Sequence, residues 1–205
     1  MVLQTSQFRL HPSLRKTLQK ISRLPGIEIR IDTAFEQVIR ACALREQVAQ
    51  HPNGTKHEPA PQESPGTWIL PSMVQAYTAL HRAGFAHSVE TWVNGQLVGG
   101  LYCVAIGQAV FGESMFSRQT DASKIALSAL VAFCRALGIA HIDCQQNTRH
   151  LASLGAQEMP RTAFLATIKR AQEQPAPLWK FDPLYWQNLL QNPASATPTP
   201  TQSAP

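Results

Sequence analysis

AHSVETWVNGQLVGGLYCVAIGQAVFGESMF, residues 86–116, decides the fold class of this 205-residue chain. Asn94-Gly95 is the pair favoured in a two-residue type I′ turn, where both central residues take positive φ, and Gly107-Gln108 marks a second reversal. The stretch therefore predicts three strands, near 86–93, 96–106 and 109–116, joined as an antiparallel meander. Thr120 or Asp121 is placed to cap the helix that follows, whose stripe of Ile125, Ala129, Leu130, Phe133 and Leu137 ends at Gly138. Ile142-Asp143-Cys144-Gln145 then reads as a further strand. A strand, a helix and a strand in succession add a parallel neighbour to the meander. The expected class is α/β, a mixed twisted sheet with flanking helices.

The same stretch holds the residues that ask for a chemical explanation. Glu113 and Asp143 sit among apolar neighbours on predicted buried strands, and burying a carboxylate is costly unless it has partners or a task. Read with period two, the strand from Ala109 puts Phe111, Glu113 and Met115 on one face and Gly112, Ser114 and Phe116 on the other. The strand His141 to Gln145 likewise places His141, Asp143 and Gln145 together. The spacing suits two readings, a pair of structural carboxylates at a sheet end or a functional site.

Outward from this centre, His11–Lys20 reads as a short basic helix, Ile27–Ile31 as a strand, and Thr33–Glu46 as an amphipathic helix with Phe35, Val38, Ile39 and Cys42 inward. Residues 50–66 hold four prolines and two glycines and read as surface loop. Pro71 suits the first turn of a helix running to about Arg82 and stopped by Gly84. A helix over Thr148–Leu154, a stop at Gly155 and a helix after Pro160 complete a predicted domain of residues 1–190. The proline-, serine- and threonine-rich residues 191–205 read as a disordered tail.

Composition bounds the function. With 44% hydrophobic and 15% charged residues, the chain has material for one ordinary core. No apolar run approaches the roughly 20 residues of a membrane span, and the basic, polar start lacks a signal peptide's apolar centre. A cytoplasmic, non-membrane protein is expected. Cysteines 42, 103, 134 and 144 form no C-x-x-C pair and read as small core residues. His81 with His87, and His141 with Asp143 and Cys144, lack a metal-ligand spacing, so no metal site is expected. A net charge of +5, with Arg9, Arg15, Lys16, Lys20, Arg23, Arg30, Lys169 and Arg170, suits either a solvated basic face or a polyanion partner. Trp68 and Tyr77 suit core anchoring or stacking on the bases of a single-stranded nucleic-acid end.

One family brings these features together. AFEQVIRACA (34–43), GTWI (66–69), AYTALHRAG (76–84), AHSVETW (86–92), LVGGLY (97–102), FGESMFSR (111–118), ASKIAL (122–127), IDCQ (142–145), HLASLGA (150–156) and PRTAF (160–164) resemble, in the same order, the leucyl/phenylalanyl-tRNA–protein transferases. The resemblance runs from residue 1 to about 170. It implies an acetyltransferase-like (GNAT-like) fold and transfer of leucine or phenylalanine, and also methionine, from aminoacyl-tRNA to the α-amine of proteins beginning with lysine or arginine, marking them for N-degron degradation. No cofactor is implied, and a monomer is expected. Asp143, Gln145 and Glu113 become the catalytic candidates, with Gln145 positioning the amine, since an amide oxygen is a poor base. Met115, Leu127, Leu130 and Cys134 become the aminoacyl pocket. Trp68 and Tyr77 would hold the terminal adenosine, and Arg15, Lys16 and Lys20 the tRNA backbone.

The sequence also departs from the pattern. Met1-Val2-Leu3 resembles the segment that follows a small N-terminal domain in the family, Cys103 stands in place of a glycine and Val110 in place of a phenylalanine, and the loop from Gln50 to Ser64 is longer. A noncatalytic tRNA- or N-terminus-binding remnant is therefore the alternative reading, and turnover separates the two. An acetyl-CoA-dependent acetyltransferase would want a glycine-rich pyrophosphate loop, where Arg118–Ser123 offers RQTDAS.

Overall fold

Both positive-φ residues that a type I′ turn demands are present in the computed structural model, with Asn94 at φ 50° and Gly95 at φ 76°. It describes residues 1–21, 26–49 and 69–191. The strands are β1 (Val2–Gln4), β2 (Ile27–Ile31), β3 (Ala86–Val93), β4 (Gln96–Ile106), β5 (Ala109–Ser117) and β6 (His141–Asp143). The helices are α1 (Pro12–Ile21), α2 (Phe35–Ala49), α3 (Pro71–Arg82), α4 (Ala122–Ala136), α5 (Arg149–Ser153), α6 (Arg161–Gln172) and α7 (Tyr185–Leu190). The predicted loop over 50–66, Trp68 and all but the first residue of the predicted tail lie outside the described residues. Among the described residues no helix is long and apolar enough to cross a membrane.

The six strands form one sheet in the order β1-β6-β5-β4-β3-β2. The meander β2 to β5 is antiparallel throughout, and α4 carries the chain from β5 to β6, which pairs parallel with β5 through Val110 with Ile142 and Phe111 with Asp143. The mixed α/β sheet expected from the sequence is thus present. β1 was not foreseen. It closes the outer edge by pairing antiparallel with β6, and three residues are too few to show a period.

Each face of the sheet carries its own apolar cluster. On one, Phe35, Val38, Ile39 and Cys42 of α2 and Val74 of α3 pack with Tyr102 and Phe116. On the other, α4 lies over Leu101, Cys103 and Val110, with Leu14 and Leu18 of α1 beside it. The return after α6 finishes this second layer. Trp179 stacks on His87 with ring centroids 3.9 Å apart and on Phe133 at 4.8 Å, while α7 buries Trp186 and Leu189. Such a short helix after a proline-rich stretch was also absent from the sequence reading.

Two polar arrangements lock the layers together. Glu90 is fully buried, and its carboxylate accepts from Thr33 N (3.0 Å), Ala34 N (2.8 Å), Ser88 Oγ (2.8 Å), Trp92 Nε1 (2.8 Å) and the Thr33 hydroxyl. These donors satisfy the charge and fix the chain just ahead of α2. Asp32, at φ 60°, accepts from Ser88 N at 2.8 Å and lies 2.7 Å from His87 Nδ1.

The expected cap of α4 is corrected. Asp121 precedes the helix in the left-handed region at φ 63°, makes no side-chain cap, and pairs instead with Lys124 Nζ at 2.7 Å. The start of α4 is set by proximity. A Cβ built on Gly99 would stand 2.5 Å from Ala122 Cβ and 2.8 Å from its carbonyl carbon, so the helix sits directly on the β4 backbone. Gly99→Ala therefore lowers stability by about 1–3 kcal/mol through overpacking, read from the denaturant midpoint. Gly112→Ala, whose new Cβ would meet only the Asp143 carbonyl oxygen at 3.5 Å, changes it far less.

Candidate active site

β4 and β5 carry a bulge, and the site is built around it. Their register steps from Tyr102 opposite Ser114 to Cys103 opposite Gly112, leaving Glu113 as the extra residue. Alternation predicted Phe111, Glu113 and Met115 on one face, and the bulge overturns this. Phe111 is opposite Val104 of the α2/α3 side, whereas Met115 is opposite Leu101 and packs with the α4 cluster. A single inserted residue reverses every side chain beyond it.

The pairing of β5 with β6 ends beside this bulge, and a cleft of about 540 Å³ opens where the two strands part. Its lining brings together Gly112 to Met115 of β5, Leu127 and Leu130 of α4, Cys144 to Gln146 just after β6, and His150 and Leu151 of α5. Glu113 is half-buried here and accepts a hydrogen bond from the Tyr77 hydroxyl at 3.0 Å. Burial, then the adjacent Glu113 carboxylate, pushes that hydroxyl up to about 12. Tyr77 thus remains a donor at neutral pH, with its ring edge-on to Tyr102 at 5.1 Å.

Asp143 and Gln145 do not continue one strand, contrary to the expectation. β6 stops at Asp143, whose Oδ1 accepts from the Gln145 backbone N–H at 2.9 Å, and Gln146 N–H donates to the Cys144 carbonyl at 2.6 Å. This tight turn holds Gln145 at φ 58°, a conformation that costs a non-glycine residue on the order of 1 kcal/mol. A carboxylate that bonds its own backbone two residues on offers the chain an alternative to the ladder. Gln145 is part of the cleft lining, while Asp143 is not.

The other candidates divide. Met115, Leu127 and Leu130 line the cleft. Cys134, one turn further along α4 than Leu130, is fully buried in the core and does not reach it. Tyr77 stands beside the cleft rather than in its lining, and Trp68 lies outside the described residues. Lys16 and Lys20 are exposed on α1, but Arg15 is half-buried and donates to the Leu190 carbonyl at 2.7 Å, which ties α1 to the end of α7. Cys144 lines the cleft with its thiol pushed up to about 11, by burial first and the Asp143 carboxylate second, so it is not a thiolate nucleophile near neutrality.

Sequence reasoning missed Leu101, Ser114, Gln146, His150 and Leu151, all part of the lining. The last two follow Gln145 closely and open α5, whose Thr148 cap accepts from Leu151 N at 3.2 Å. That cap was legible, and with it the return of the chain to the cleft.

The profile of the leucyl/phenylalanyl-tRNA protein transferase family matches residues 2–169. The chain is 58% identical over 190 residues to the leucyl/phenylalanyl-tRNA–protein transferase of Polaromonas sp. (strain JS666), with 93% of this chain and 69% of that protein covered. It is 56% identical to the protein of the same name from Albidiferax ferrireducens, with the same two coverages, and 55% identical to that of Leptothrix cholodnii, with 92% and 69% covered. Among solved structures, an aminoglycoside N-acetyltransferase in complex with CoA aligns with a TM-score of 0.41 at 16% identity, over 67% of this chain and 94% of that one, a likeness too loose to bear on the site. On the family profile and these identities, the chain belongs to the leucyl/phenylalanyl-tRNA–protein transferase family.

Proposed function

We propose that the cleft is where a leucyl or phenylalanyl group, and also methionyl, passes from aminoacyl-tRNA to the α-amine of a protein beginning with lysine or arginine, in the cytoplasm and as a monomer. The observation that carries this reading is one cleft combining a half-buried carboxylate, Glu113, with the apolar side chains Met115, Leu127 and Leu130. An aminoacyl ester is already activated, so catalysis consists mainly of holding an amine against its carbonyl and managing one proton. Glu113 pairs with the acceptor's ammonium or with its basic first side chain. The Tyr77 hydroxyl fixes the Glu113 carboxylate from behind. Gln145 orients the amine with its side-chain amide, and Asp143 acts through the turn that presents Gln145.

The apolar part of the lining takes the aminoacyl side chain. Hydrophobic pockets distinguish a single methylene by only ~1–3 kcal/mol, which fits acceptance of several large apolar groups. Exposed Lys16 and Lys20 are suited to phosphates, and Trp68 to stacking on the terminal base.

Transfer of radiolabelled leucine or phenylalanine from charged tRNA to a protein starting with arginine, and not to one starting with glycine, tests the reading. Equal labelling of both acceptors overturns it. Binding of tRNA or acceptor without transfer identifies the noncatalytic alternative.

Glu113→Gln keeps the shape and removes the charge. Its kcat/KM for the acceptor falls about 10- to 100-fold, the worth of a hydrogen bond to a charged group, while aminoacyl-tRNA affinity is unchanged. Tyr77→Phe loses one neutral donor and falls by less, about 2- to 10-fold, with the melting temperature close to that of the wild type.

The two substitutions at Asp143 separate a positioning role from a chemical one. Asp143→Asn retains an oxygen for the Gln145 N–H and keeps most of the activity, whereas Asp143→Ala releases the turn and loses it. Equal losses, measured as single-turnover rates, contradict action through the turn.

A further inference from the structure

We propose that His150 is the proton carrier of the transfer step, an assignment that rests on the reading of the cleft given above. His150 is an exposed residue of the same cleft lining as Glu113 and Met115. Its backbone is held from several sides, since its carbonyl accepts from Ser153 Oγ at 2.7 Å and from Leu154 N at 3.2 Å. Leu154 is buried, and a Cβ on the next residue, Gly155 at φ 97°, would stand 2.5 Å from the Gln7 carbonyl oxygen. α5 is thereby clamped against the start of the chain, and the imidazole is presented from a fixed Cα.

The chemistry of the step asks for such a group. The neutral α-amine attacks the ester carbonyl carbon and forms the N–C bond, which leaves the nitrogen cationic and the carbonyl oxygen anionic. A proton must then leave the nitrogen, and the ribose oxygen of the tRNA must receive one as the C–O bond breaks. His150 takes the first proton on its imidazole and returns it to the ribose oxygen, so the products are the amide and the free tRNA hydroxyl, with nothing else consumed. A carrier has to bind and release a proton at the working pH, and imidazole, with an unperturbed pKa of about 6.5, is the side chain suited to both.

The surrounding groups do not compete for this role. Titratable or charged groups on the elements around His150 include Glu113 of β5, Tyr102 of β4, His141, Asp143 and Cys144 in and just after β6, the amino group of Met1, whose charge acts on Cys144, and Arg149 of α5 itself; His141, the other imidazole, is not part of the cleft lining. α4 presents Leu127 and Leu130 to the cleft. The Cys144 thiol and the Tyr77 hydroxyl, pushed up to about 11 and about 12, keep their protons throughout the neutral range. Glu113 is occupied with the acceptor's basic first side chain and with Tyr77.

The test uses the full chain with His150→Gln and His150→Ala, leucyl-tRNA, and a protein starting with arginine at saturating concentration. Single-turnover transfer is expected to fall about 10²- to 10⁴-fold in both variants while leucyl-tRNA affinity and melting temperature stay at the wild-type values. Free imidazole is expected to restore part of the rate to His150→Ala in proportion to its neutral form, so rescue fades as the pH drops below the imidazole range. A wild-type rate in His150→Gln overturns the assignment, and so does a slow His150→Ala that imidazole rescues at no pH. Wild-type protein that labels no acceptor overturns the transferase reading itself, and the proton carrier with it.

Discussion

Two residue pairs, Val110 with Ile142 and Phe111 with Asp143, join β5 to β6, and the cleft depends on the pairing stopping there. Strands that part leave backbone groups in need of partners, and the nearby sequence supplies them. Cys144 N–H donates to the Met1 carbonyl, Gln145 N–H to the Asp143 carboxylate and Gln146 N–H to the Cys144 carbonyl. On the other side of the gap the bulge bends β5 away. Were the ladder to run on, the space now lined by Glu113, Gln145 and His150 would be filled by strand.

The buried acids of the sheet illustrate two fates for a charge taken out of water. Glu90 is surrounded by donors from the protein itself, and its oxygens are spent on ordering the entry to α2. Glu113 receives the Tyr77 hydroxyl and keeps an open side in the cleft lining. The sequence drew attention to Glu113 because its neighbours are apolar, yet that argument applied with more force to Glu90, which proved the more deeply buried. Cost of burial finds carboxylates that need partners. Whether those partners come from the same chain is a matter of tertiary placement.

Much of the architecture was legible in the residues, because local chemistry determines it. Asn94-Gly95 set the hairpin, Pro71 the first turn of α3, and the apolar stripe of α4 the crossover to a parallel strand. The losses have physical causes. A bulge leaves no mark on an alternating apolar pattern, so the faces beyond Glu113 were inverted. Asp143 and Gln145 share a parity that suits a strand, but a side-chain acceptor two residues upstream gave the backbone another option. Asp121 had the right chemistry for a cap, and the close seat of Ala122 on Gly99 fixed the helix start instead. Of the α4 residues expected at the pocket, Leu127 and Leu130 line the cleft, whereas Cys134 lies in the core.

β1 pairs with β6, residues 2–4 against 141–143, and Val2 also bridges to Gln157, so one wall of the cleft joins the beginning of the chain to a part made much later. During synthesis, residues 2–4 have no strand partner until β6 has left the ribosome, whereas the meander can pair hairpin by hairpin as it emerges. The entropy of closing that long loop has to be met before the contacts reward it. Assembly of the sheet is therefore expected to run from β3, β4 and β5 outward, with the strands beside the cleft joining last. A chain halted before residue 141 would hold its hairpins and all of α4 but lack β6 and the residues after it that line the cleft.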